Sequence, residues 1–184
     1  MSKILFVDLE TTGFSRDYDF IIEIAAILYD EENQVEIAQF HEYIKPGKRL
    51  PAKITEITGI TEYQLSNCRN ESEVLMDFFE WVHFNRPDKF TAYNSSFDKG
   101  FLDTKRGKYR INLGVEDWFD MMAYGRQLKK EGKIENYKQT SVAAFLEINY
   151  QAHSAIEDVR ALIKIYEALG LNNNKKSIRK KLGF

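Results

Sequence analysis

The sequence predicts an α/β domain built on a mixed sheet. Two observations carry that prediction. Three consecutive segments near the N-terminus are rich in β-branched and aromatic residues. Beyond residue 50 the apolar period changes to helical spacing, with short strands set between helices. At 184 residues, 43% apolar and 29% charged, the chain can bury a full core without disulfides or structural zinc, and its single cysteine, Cys68, can supply neither.

The first strand is predicted over residues 3–10 (KILFVDLE), the second over 20–29 (FIIEIAAILY) and the third over 35–45 (VEIAQFHEYIK). Turn chemistry separates them. The first connection runs from Gly13 to Asp19, and the second, Asp30-Glu31-Glu32-Asn33, is short enough for an antiparallel hairpin. Helices are predicted over 51–57 and 71–84, the latter with Val74, Leu75, Phe78, Phe79 and Val82 on one face. A short strand follows at 89–93 (KFTAY), then a helix from about Ser96, a strand near 115–120, and helices near 121–130 and 140–147. The last helix starts at Ser154 and runs to Leu169, with Ala155, Val159, Leu162, Ile163, Tyr166 and Leu169 as its core stripe. With no internal repeat or boundary in this order, one domain over residues 1–170 is expected, followed by a basic tail over 171–184.

No run approaches about 18 consecutive apolar residues, and MSKILFVDLE lacks the succession of features of a secretory leader. A soluble, cytoplasmic protein with no membrane partner is therefore expected. A formal net charge of −2 on its own argues against a strongly basic grip on nucleic acid. The charge is uneven, however. The tail holds Lys175, Lys176, Arg179, Lys180 and Lys181 and no acid, and setting those five aside takes the rest of the chain to −7. Three readings of the tail stay open: a grip on phosphates, a docking segment, or a solvated end.

The acids are where chemistry enters. Side chains alternate along a strand, so Ile4, Phe6, Asp8 and Glu10 share one face of the first strand and Leu5, Val7 and Leu9 the other. Both faces are apolar up to Val7, which makes the strand central and puts Asp8 and Glu10 at its C-terminal end, about 7 Å apart at the Cα atoms. Ligand sites of α/β sheets favour this end; the alternative is a pair of solvated acids where the strand stops. Asp98 falls inside the apolar face formed by Phe97, Phe101 and Leu102 if that segment is helical. An ionised carboxylate there must be paired, bound to metal, or raised in pKa. In the last helix, Asp158 lies at the edge of the core stripe, while Ser154 and Glu157 match a capping box that gives Glu157 a structural task. His153 precedes that cap, so it is expected on a loop from which its ring can turn back over the same site; His41 and His83 are taken as surface residues. Acids facing inward without a matching set of bases point to divalent metal, and oxygen-only ligation suits Mg²⁺ or Mn²⁺ over Zn²⁺. Two such ions about 3.5–4 Å apart serve in-line displacement at phosphorus. Cations held there would also neutralise part of the −7, so net charge understates how well such a site meets a phosphate backbone.

The chain resembles the DEDDh 3′–5′ exonucleases of the ribonuclease H-like fold, the family of polymerase III epsilon subunits and ribonuclease T. The resemblance rests on Asp8-Leu-Glu10-Thr11-Thr12-Gly13-Phe14, on Asn94-Ser-Ser-Phe97-Asp98 followed by Phe101-Leu102, and on His153-Ser-Ala155-Ile-Glu-Asp158. It extends through the linking segments 43–61 and 118–128 to cover residues 3–169. It implies a mixed five-stranded sheet, three antiparallel strands plus two parallel, flanked by helices. It implies that Asp8, Glu10, Asp98 and Asp158 hold two metal ions and that His153 is the general base taking a proton from the attacking water. Thr11, Thr12 and Phe14 would lie against the 3′-terminal nucleotide, with Glu10 near its 3′-hydroxyl, Phe14 as a stacking residue and Asn94 as a further contact. Two departures bear on how the terminal nucleotides are held: Tyr93 precedes Asn94 where many relatives have His, and Thr58-Gly59-Ile60 stands where they have His-Gly-Ile. Asp103, Asp117, Asp120 and Glu23 are taken as structural, with Asp120 the best placed to support the site.

The favoured function is release of nucleoside 5′-monophosphates from the 3′ end of single-stranded or frayed DNA, in proofreading beside a polymerase subunit or in repair. An exoribonuclease is the runner-up, since the 2′-hydroxyl is read by pocket detail. A catalytically silent nucleic-acid-binding or polymerase-docking module belongs to a different class, and an intact set of four acids plus histidine counts against it.

Overall fold

Residues Lys3–Thr11 form β1, and because both of its faces are apolar it becomes the middle strand of the sheet. The structure, a computed structural model, describes residues 2–111 and 117–171. One edge of β1 pairs antiparallel with β2 (Ile21–Asp30), which pairs antiparallel with β3 (Val35–Tyr43). The other edge pairs parallel with β4 (Lys89–Ala92), which in turn pairs parallel with β5 (Trp118–Asp120). The order is therefore β3-β2-β1-β4-β5, the expected mixed five-stranded sheet.

The β2–β3 hairpin closes where the turn residues predict it. The Asp30 carboxylate accepts the amides of Glu32 at 2.9 Å and Asn33 at 3.2 Å, and Gln34 completes the reversal at φ 58°. The third strand ends at Tyr43, short of the expected residue 45, because Pro46 follows and Lys45 turns away to bridge Asn70.

Two layers of helix cover the sheet. On one face, α3 (Glu71–Asn85) and α4 (Ser95–Lys108) pack on Leu5, Val7, Leu9, Ala26 and Leu28 through Val74, Leu75, Phe78, Phe101 and Leu102. On the other, α5 (Met122–Lys130), α6 (Gln139–Phe145) and α7 (Ala155–Ala168) pack on Ile4, Phe6, Ala25 and Ile27. Burying each such large apolar side chain stabilises the fold by roughly 1.5–3 kcal/mol. The predicted faces of α3 and α7 are both buried, as periodicity requires. A smaller cluster lies under α1 (Ala52–Thr58) and α2 (Glu62–Leu65). The α2 turn has no predicted counterpart, since four residues show no period; a reciprocal Thr61–Gln64 capping box closes it.

The last predicted strand is only three residues long within the described chain, and positions 115 and 116 lie outside it. Leu171 packs against the core, with its carbonyl taking the Tyr166 hydroxyl at 3.1 Å; the rest of the expected basic tail, 172–184, lies outside the described residues. Among the described residues no helix is long and apolar enough to cross a membrane. Two helix N-termini, those of α4 and α7, meet the C-terminal end of β1, and there the site acids gather.

Candidate active site

Asp8 and Glu10 leave β1 on the face toward α7, opposite Ala25 and Glu23 of β2. Asp158, in the first turn of α7, approaches from above. One carboxylate oxygen from each of Asp8, Glu10 and Asp158 lies within 4.8 Å of the other two. Asp98 stands outside this tightest group yet beside it. Its side chain is 3% exposed, and the Leu9 amide donates to its carboxylate, which ties α4 to β1 between the two strand acids. His153 is exposed, lies on a loop as expected, and takes a left-handed backbone at φ 71°. Its amide donates to Asp158 Oδ2 at 2.8 Å, so the turn folds back onto the acid it precedes.

The electrostatics follow from that crowding. Burial, then the neighbouring Asp98, Asp158, Glu10 and Glu23, hold the Asp8 carboxyl well above the usual carboxylate range. Burial, with Asp158 and Glu23, pushes Glu10 up to about 8. Burial pushes Asp98 up to about 8 against the opposing pull of its backbone hydrogen bonds. Asp158 is raised as well, chiefly by burial, with the Tyr150 hydroxyl and the His153 amide working the other way. A cluster of carboxylates that resist ionising together is the donor set a hard divalent cation fits, because the cation supplies the missing positive charge.

This arrangement makes stability pH-linked. Between about pH 4 and 8 the folded protein keeps protons on Glu10 and Asp98 that the unfolded chain has released, so metal-free stability falls as pH rises through that window. A bound cation displaces those protons and restores the loss. Mn²⁺ is therefore expected to raise the melting temperature more at about pH 8.5 than at about pH 6. Calorimetry in matched buffers checks this, and equal shifts at both pH values contradict it.

Among the residues expected to meet the nucleotide, Thr11 and Thr12 are buried and their hydroxyls are engaged in the loop itself. Thr11 Oγ1 donates to the Gly13 carbonyl at 2.6 Å; Thr12 Oγ1 donates to Asp19 at 3.0 Å and accepts the Phe20 amide at 3.0 Å. Phe14 is different. It is 90% exposed, touching Phe97 edge-on at 6.3 Å between ring centroids, so ordinary core packing does not account for it. Arg16 fastens the same loop to α4, donating to the Ser96 carbonyl at 2.7 Å and lying where a Cβ on Gly100 would stand. Asn94 occupies the N-cap position of α4, but its side chain accepts from the Ser96 hydroxyl at 2.9 Å and makes no cap bond.

Several expectations are corrected. Ser154 and Glu157 form no capping box: Ser154 makes no side-chain cap bond, and Glu157 accepts from Arg160 at 2.7 Å. His41 is not a simple surface residue, because its Nε2 lies 2.7 Å from the buried Glu23. Of the two departures, Tyr93 is buried and Thr58 is half-buried. The Tyr93 hydroxyl donates to the Tyr137 carbonyl, and Thr58 Oγ1 donates to Ile54 at 2.9 Å and closes α1. Asp120 accepts the Ser95 amide at 3.1 Å at the start of α4, the helix that carries Asp98. Sequence reasoning missed two neighbours of the cluster, Tyr150, beside Asp158, and Gln139, which donates to the Asp158 carbonyl at 2.7 Å; Glu23, taken as structural, also lies beside Asp8 and Glu10.

A family model described as "Exonuclease" matches residues 5–166. The chain belongs to the exonuclease family. This exonuclease is 33% identical over 182 residues to the DNA polymerase III PolC-type of Staphylococcus epidermidis strain ATCC 35984, covering 95% of the chain and 12% of that protein. It is 34% identical over 156 residues to the PolC-type polymerase of Bacillus subtilis strain 168, covering 84% and 10%. The exonuclease thus spans only 10–12% of the length of these relatives. Its fold matches the nuclease domain of 3′hExo, a DEDDh family member solved with rAMP, at TM-score 0.76 and 19% identity, covering 94% of this chain and 93% of that one. It also matches E. coli Exonuclease I bound to a dT13 oligonucleotide at TM-score 0.79 and 21% identity, covering 100% and 43%. The sheet and its helices have the fold of these solved nucleases, a ribonuclease H-like fold. The family works with divalent metal ions.

Proposed function

We propose that the exonuclease removes nucleoside 5′-monophosphates one at a time from the 3′ ends of single-stranded or frayed DNA, during DNA synthesis or repair and with a DNA polymerase as partner. The observation that carries this is the carboxylate cluster of Asp8, Glu10 and Asp158, with Asp98 beside it, at the mouth of a surface that leaves Phe14 open. DNA is favoured over RNA because the relatives at 33–34% identity are named as DNA polymerases.

In this reading Asp8, Glu10, Asp98 and Asp158 hold two divalent cations, Mg²⁺ or Mn²⁺. When bound, such ions supply charge neutralisation at the attacking and leaving oxygens. His153, free of the core and placed by its turn beside Asp158, takes a proton from the water that attacks the terminal phosphorus. The bond from phosphorus to the 3′-oxygen breaks, and that oxygen takes its proton from solvent. Phe14 offers its ring to the terminal base, where stacking contributes about 1–3 kcal/mol whatever the base. The threonine hydroxyls keep the loop in shape for Phe14 and leave backbone groups and Asn94 to meet the sugar and phosphate.

Digestion of 5′-labelled single-stranded DNA and RNA of one sequence, with Mn²⁺, Mg²⁺ or EDTA, tests the reading. The expected result is a ladder shortening from the 3′ end, only with metal and faster on DNA. No shortening of either polymer overturns the activity, and faster cutting of RNA overturns the substrate.

A further inference from the structure

Both helices that carry candidate site acids begin without a side-chain cap of their own. Asn94 and Ser154, residue types that ordinarily cap, make no such bond, and acids from the sheet take their place. At α4 the amide of Ser95 goes to Asp120 of β5. At α7 the amide of Ala155 goes to Glu23 Oε2 at 3.3 Å, from a residue of β2 that lies 132 positions earlier in the chain. Glu23 is 1% exposed. Its other oxygen lies 2.7 Å from His41 Nε2, and the Tyr43 hydroxyl also bonds to its carboxylate, so two residues of β3 orient it.

What Glu23 holds is the segment that matters most for the site. The Ala155 amide sits between His153, in its left-handed turn, and Asp158, which accepts the His153 amide. We propose that Glu23 is a positioning residue, setting His153 and Asp158 against Asp8 and Glu10 by capping α7 from the sheet. The proposal rests on the reading of those four residues as the site. A buried helix N-terminus that loses its acceptor leaves an orphaned amide and frays its first turn. Displacements well under 1 Å in that turn are enough to slow a reaction that depends on placed groups.

Glu23 also adds negative charge near Asp8, Glu10 and Asp158, so its reach and its charge must be separated. Glu23→Gln keeps an oxygen within reach of Ala155 and removes the charge. Glu23→Asp keeps the charge and withdraws the oxygens by about 1.5 Å, the length of one bond. At saturating Mn²⁺ the expected results are a kcat loss under about threefold for Glu23→Gln. For Glu23→Asp the loss is about 10–100-fold, with KM nearly constant. Amide exchange followed by NMR on the metal-free proteins gives a readout independent of turnover. Residues 155–158 are expected to exchange about tenfold faster in Glu23→Asp alone, with the remainder of α7 and the sheet still protected.

A Glu23→Asp variant with more than about a third of wild-type kcat overturns the proposal. So does a Glu23→Gln variant as impaired as Glu23→Asp, or exchange that quickens across the whole domain instead of in that turn. If the wild-type protein cuts neither polymer with metal, the site reading fails, while the exchange comparison still decides whether Glu23 caps α7.

Discussion

Replacing Asp98 with asparagine is expected to lower kcat by more than about 10³-fold and to leave the domain folded. The side chain is buried in the first turn of α4, and its carboxylate takes the Leu9 amide. Asparagine keeps an acceptor for that amide, so β1 and α4 stay joined. It removes the charge, and with it a donor that a hard cation requires. The effect on stability has a definite sign. Burial holds Asp98 at about 8, so the wild-type protein without metal loses stability as pH rises from about 4 to about 8, and the variant does not share this loss. The metal-free variant should match wild type near pH 4, below which Asp98 is protonated in both states, and melt higher than it near pH 8.5. Its melting temperature should also rise less on adding Mn²⁺. Scanning calorimetry at the two pH values, with and without Mn²⁺, checks all three statements. An undiminished metal shift removes Asp98 from the ligand set.

Replacement of His153 is expected to be as damaging to turnover and nearly silent in stability. Loss of a general base lowers kcat by about 10²–10⁴-fold. The ring is exposed, and what holds the turn is the backbone amide on Asp158, which any residue but proline supplies. Asparagine is the better substitution because it tolerates the left-handed backbone that His153 occupies at φ 71°. Rapid-quench turnover beside a melting curve separates the two effects. The variant should keep wild-type melting and the wild-type shift with Mn²⁺. Near-normal kcat rules His153 out as the base.

Where the fold and site were legible, the legible feature was local. The alternation in KILFVDLE placed β1 in the middle of the sheet with two acids at its end, and helical spacing put Asp98 among Phe97, Phe101 and Leu102. Those are statements about neighbours in sequence, which fixed periods convert into faces. The errors arose where a distant residue outbid a local one. Ser154 and Glu157 carry a capping-box pattern, yet the Ala155 amide is already taken by Glu23 and the Glu157 carboxylate by Arg160. His41 looked like a surface histidine until β2 and β3 paired and set it on the other side of Glu23. Tertiary pairing of this kind leaves no periodic trace.

Asp8 and Glu10 lie on the first strand, and Asp158 lies on the last described helix. During synthesis the two ends of this arrangement are therefore made far apart in time. At ribosomal rates of about 5–20 residues per second, roughly 7–30 s separate Glu10 from Asp158. Over that interval a nascent chain holds two acids, and later a third, but no cluster. A chain cut short before residue 158 keeps every described strand of the sheet and lacks the third member of the cluster.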